Sequence, residues 1–109
     1  MANPMTTNGV ETKSLESTFH ALVAEWKASR GHTSSINAWA RLPAYQAIIE
    51  LGAAVIPLLL RELETNPDHW FRALKELTGE NPVPLESRAN ISDMAKHWLA
   101  WGKEKGLRW

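Results

Sequence analysis

Apolar residues in this chain recur at the three- and four-residue spacing of a helix face, in segments that glycine or proline repeatedly interrupts. In SLESTFHALVAEWKASRG, residues 14–31, Leu15, Phe19, Leu22, Val23 and Trp26 fall on one side. Ser14 suits the N-cap of that helix and Gly31 its end. A short helical stretch is expected over Ile36, Trp39 and Ala40, capped by Ser34 or Ser35. LPAYQAIIELG reads as the next helix, with Pro43 in its first turn, Gly52 as its stop and Tyr45, Ile48, Ile49 and Leu51 on its apolar face. AAVIPLLLRELETN follows at once, with Pro57 near its start. Leu58, Leu59 and Leu63 point inward there, and Arg61, Glu62 and Glu64 toward water.

The pattern continues to the end of the chain. In NPDHWFRALKELTG, Asn66 is the expected N-cap, Pro67 the first helical residue, and Asp68 a charge favoured by the helix dipole. Trp70, Phe71, Leu74 and Leu77 make the buried stripe, and Gly79 ends the helix. After the loop ENPVPLESRAN, a last helix is expected from about Ser92 to Lys105. Ile91, Met94, Ala95, Trp98, Leu99 and Gly102 supply its packing face. No segment has the alternation of a strand. The fold class expected is therefore all-α, a compact bundle of about five helices. Residues 1–13 are Thr/Asn/Gly-rich without periodicity and are expected to form a disordered polar N-terminus, with residues 14–109 as a single domain.

Composition narrows the functional classes. The chain has 109 residues, 12 basic and 12 acidic, so no broad attraction to nucleic acid or anionic lipid is expected from the totals. It contains no cysteine, which removes disulfides, thiol catalysis and Cys-ligated zinc. No apolar run approaches the roughly 18 residues of a membrane span, and the start of the chain lacks a signal-peptide pattern. A soluble, cytoplasmic protein is expected, with no membrane association.

PAYQAIIELGAAVIPLLLRELE, residues 43–64, resembles the helix, Leu-Gly turn, helix pattern of a HEAT-like repeat. DHWFRALKELTGENPV followed by MAKHWLAWGKEKG is similar to the closing repeat of bacterial HEAT-like proteins, in which an "AL..LTG" helix precedes a Trp-rich one. The resemblance covers residues 42–106. It implies antiparallel helix pairs stacked in a right-handed arrangement that binds other macromolecules, and it brings no catalytic residues. An array usually needs about three units. This chain has fewer, so its first and last helices are expected to cap a closed bundle.

Catalytic signatures are missing. His20, His32, His69 and His97 form no i, i+4 pair and no HExxH; there is no G-x-S-x-G, S-x-x-K or Gly-rich phosphate loop. Asp68 and His69 are adjacent on a helix and do not face each other. No enzyme activity, metal or cofactor is expected. Two regions carry more functional interest. One is the loop GENPVPLESRAN, stiffened by Pro82 and Pro84, since binding residues gather on loops held by rigid elements. The other is the tail WLAWGKEKGLRW, where Trp98, Trp101 and Trp109 are interleaved with Lys96 just before it and with Lys103, Lys105 and Arg108, a mixture able to stack bases and contact phosphates.

Trp98 is expected in the core, Trp101 near the rim of the same face, and Trp109 exposed. The leading expectation is a non-catalytic protein–protein interaction module, a small regulatory or accessory protein or a homo-oligomer. Its partner-binding surface comprises His69, Arg72, Asn81, Pro82, Arg88, Trp101 and Trp109. The alternative is nucleic-acid binding through the basic-aromatic tail.

Overall fold

The computed structural model describes residues 4–32 and 35–109, with residues 4–13 and 32 described as backbone alone. Residues 1–3 of the expected polar tail, the alternative cap Ser34 and the side chain of His32 lie outside the described residues. Six α-helices and no strands occur among them. The helices are α1 (Pro4–Ser29), α2 (Ile36–Trp39), α3 (Pro43–Glu50), α4 (Ile56–Thr65), α5 (Phe71–Thr78) and α6 (Ile91–Glu104). Five of them have seven residues or more, which is the all-α architecture of about five helices. Contacts group the chain into two units, one running through Ile48 and the other Ile49–Trp109. No single helix among the described residues is long and apolar enough to cross a membrane.

In the first unit, α1 begins at Pro4, so Ser14 lies inside the helix instead of capping it. Proline is well suited to a first helical position, and propagation from an existing turn gains one hydrogen bond for each residue fixed. The apolar stripe buries Phe19, Val23 and Trp26 and leaves Leu15 and Leu22 partly open. Gly31 sits within a 3-10 turn, Arg30–His32, that follows the helix. Ser35 caps α2, its side chain accepting the Ala38 N–H at 3.3 Å. Ile36 is 52% exposed, so the face of that short helix is carried by Trp39 and Ala40.

Trp26 holds this unit together. Its indole N–H donates to the Trp39 carbonyl at 3.0 Å, and its ring lies 6.4 Å from Trp39 and 5.4 Å from Tyr45. The Arg30 guanidinium stands over both indoles, 4.5 Å from Trp26 and 4.9 Å from Trp39. With Arg30 half-buried, such cation–π contacts contribute on the order of 1 kcal/mol.

In the second unit, α4 packs on α6 and α5 packs on α4. Pro57 lies in the first turn of α4, where its missing N–H removes no helix bond. Leu58, Leu59, Leu60 and Leu63 are buried, a wider stripe than the spacing of Leu58, Leu59 and Leu63 alone required. Trp70, Phe71 and Leu74 are buried as expected, with Leu77 half-buried. The start of α5 differs from the expected one. Asn66 ends α4, donating to the Glu62 carbonyl, and α5 begins only at Phe71. The Asp68 carboxylate accepts the His69 N–H at 2.8 Å, a local bond that competes with helix formation and delays the helix. Gly79 (φ 72°, ψ 7°) closes α5 by donating to the Lys75 carbonyl.

Leu59 is fully buried, whereas Leu85 is 77% exposed. Leu59→Ala is expected to lower unfolding stability by about 2–5 kcal/mol. Leu85→Ala should change it by no more than about 0.5 kcal/mol, measured by urea denaturation of both variants.

Candidate interaction site

The connection between α5 and α6 has two prolines and no long regular element, yet its backbone groups are bonded along most of its length. Thr78 donates its hydroxyl to the Leu74 carbonyl at 2.7 Å and accepts the Glu80 N–H at 3.1 Å. Asn81 accepts the Val83 N–H on its side-chain oxygen at 3.2 Å, an Asx-type turn. Arg88 reaches back across the loop, its Nε donating to the Val83 carbonyl at 3.1 Å. Between these two contacts Val83 is 2% exposed, an apolar anchor set into the core. Residues Leu85–Ser87 then form a 3-10 turn, with the Ser87 N–H donating to the Pro84 carbonyl at 3.0 Å. Asn90 caps α6 by accepting the Asp93 N–H at 3.1 Å.

The loop is also tied to the far end of α6. Glu80 accepts the indole N–H of Trp101 at 3.3 Å with one carboxylate oxygen and pairs with Lys105 at 3.7 Å through the other. The Lys105–Glu80 pair is exposed and contributes little to stability by itself. Its geometric effect is larger, because a residue one position past the α5 cap is fixed against two turns of α6.

Leu85 stands on top of this frame. It is the largest exposed apolar side chain in the second unit among the described residues, beside exposed Glu86 and Arg88. A single exposed leucine is ordinary on a surface. One held on a loop tied down on both sides, at Val83 and at Ser87–Arg88, differs, because a partner that buries it has less left to order.

The expected site residues divide between different parts of the molecule. Asn81, Pro82 and Arg88 all belong to this loop: Asn81 and Arg88 brace Val83 with exposed side chains, and Pro82 is half-buried. His69 is half-buried before α5, and Arg72 is exposed as the second residue of that helix, pairing with Glu76 at 3.8 Å. Trp101 is 8% exposed and lies 5.3 Å from the Trp98 ring, inside the core rather than at its rim. Three residues along a helix return nearly to the same side, and the polar edge of the indole finds Glu80, so the ring needs no contact with water.

Trp109 is half-buried instead of exposed. The chain reverses after α6: the Gly106 N–H donates to the Lys103 carbonyl at 3.0 Å and the Leu107 N–H to the Gly102 carbonyl at 2.9 Å. Those two bonds, with Gly106 at φ 78°, form a Schellman cap. The reversal lays the Trp109 ring on α6 at Gly102. A Cβ at that position would stand 2.7 Å from the Trp109 ring and 2.8 Å from Leu60 Cδ1, so only glycine leaves room for the indole.

Leu85 and Glu80 were not marked by the sequence pattern. In the run Val83-Pro84-Leu85, one apolar residue is anchor and the other is presented, and spacing alone does not tell them apart. No protein-family model, curated protein or solved structure matches the chain significantly.

Gly102→Ala is expected to expel the Trp109 ring and lower the Tm by several degrees, although alanine is the better helix former by about 1 kcal/mol. An unchanged or raised Tm would show that the indole is not seated against Gly102.

Proposed function

We propose that this chain is a non-catalytic helical module that docks on another protein through the loop between α5 and α6. The supporting observation is the tethered loop that holds Leu85 77% exposed. Burying a leucine of that exposure contributes about 1.5–3 kcal/mol, and a preorganised loop spends little of it on ordering. Around Leu85, the exposed Glu86 and Arg88 supply one charge of each sign for a polar rim. The partner on this reading offers an apolar pocket with polar groups at its edge.

The helix-turn-helix sequence of residues 43–64 and the Trp-rich last helix support a HEAT-like module of the kind found in bacterial accessory proteins, acting in the cytoplasm. Architecture of that kind binds macromolecules through exposed loops and helix faces, and here the loop is the better-defined surface. Arg72 and His69 extend the proposed surface only if the partner reaches the start of α5. Trp101 acts indirectly, as the internal post to which Glu80 fixes the loop.

The reading is tested with tagged protein in nuclease-treated native lysate, comparing wild type with Leu85→Glu and with a photo-crosslinking residue at position 85. A stoichiometric partner that crosslinks at position 85 and is lost with Leu85→Glu, at unchanged Tm, is expected. Equal capture by wild type and Leu85→Glu would reject the loop as the docking surface.

A further inference from the structure

The reversal of the chain after α6 makes a second feature, separate from the α5–α6 loop. Glu64, Lys103, Leu107, Arg108 and Trp109 line an open depression of about 370 Å³. That volume lies within the range of small-molecule sites, about 300–1,000 Å³.

Its wall chemistry is specific. Leu107 and Trp109 are half-buried and form the apolar part, while Lys103, Arg108 and Glu64 are exposed around it. Neither Lys103 nor Arg108 has an ion pair within 4.0 Å among the described residues. The end of a helix ordinarily repels an anion, because its last carbonyls point outward. Here the carbonyls of Trp101, Gly102 and Lys103 are already taken by the N–H groups of Lys105, Leu107 and Gly106. The capping bonds therefore satisfy three of the acceptors that would oppose an anion, and Lys103 and Arg108 against the single Glu64 carboxylate leave the lining side chains with a positive balance. The indole beside them lies against Gly102, where the absent side chain leaves room for it, so a ligand meets a ring already in place.

We propose that this depression binds a nucleoside phosphate, with the phosphate held by Lys103 and Arg108 and the base stacked on the indole of Trp109. Arginine and lysine are matched to phosphate oxygens, and a base offers a flat ring to an indole whichever base it is. Glu64 is an acceptor for an amino group of the base or a ribose hydroxyl. The same unit occurs as a free mononucleotide and within a single strand, and the chemistry of the depression is common to both.

The test is a nuclear magnetic resonance titration of the full chain at low salt with AMP, adenosine, inorganic phosphate and a short oligothymidylate in separate arms. AMP at millimolar concentration is expected to shift the Trp109 indole N–H and the amides of Lys103, Leu107 and Arg108. Adenosine and phosphate alone should each shift them at least severalfold less at equal concentration. Tighter binding of the oligonucleotide than of AMP, weakening as salt rises, identifies a strand as the source; tighter binding of AMP identifies a free nucleotide. Arg108→Ala, at an exposed position, should reduce the AMP shifts severalfold without altering the Tm. Two results overturn the proposal: no shift at these resonances in any arm, or shifts by phosphate equal to those by AMP with the indole unmoved, which would mark an adventitious ion only.

Discussion

The packing of α6 on α4 is the contact on which the second unit depends. It requires an apolar side on each helix, and α4 supplies four buried leucines while α6 supplies Ala95, Trp98, Trp101 and Gly102. Two features follow from the choice of residues on α6. Trp101 turns its ring toward Trp98 and its N–H toward Glu80, which carries the start of the α5–α6 loop to the last turn of the helix. Gly102, without a side chain, leaves the space in which Trp109 lies. A helix face that builds the core thus also fixes a loop at one point and a reversed tail at another.

The loop shows how rigidity arises without regular structure. Its two prolines restrict φ, but proline alone leaves the segment free to swing about its ends. The Val83 anchor, the Asn81 turn and the Arg88 bond back to Val83 remove that freedom, because each closes a small ring of backbone around one buried side chain. The net value of each bond is about 1 kcal/mol, so their joint effect is on geometry more than on stability. This division suits a binding surface. The scaffold keeps its stability in buried Trp, Leu and Phe side chains, and the loop keeps only its shape.

Much of the helical order was legible in the sequence, because every long helix has an apolar stripe and most have a recognisable end. Pro43, Pro57, Gly79 and Ser35 stand where their chemistry places them. The start of α5 was misplaced because Asn66 and Pro67 have the identities of a cap and first residue, while the competing bond from Asp68 to His69 depends on how the chain leaves α4. Exposure of individual tryptophans was less legible. Trp101 and Trp109 look alike by composition, and the difference between a buried ring and a half-buried one lies in tertiary partners, Glu80 for the first and Gly102 for the second. The Arg30 contact with Trp39 was invisible for a similar reason, since it crosses the turn after α1, whereas Trp26 and Arg30 stand at i, i+4 spacing.

Residues 79–90 are held as firmly as the helices they connect while presenting Leu85 to solvent. Backbone ¹⁵N relaxation across the loop tests this most directly. Order parameters of about 0.85 are expected from Glu80 through Asn90, equal to those of α5 and α6. Values below about 0.6 at Val83 to Ser87 would contradict it, since a loop that mobile offers no preformed surface to a partner.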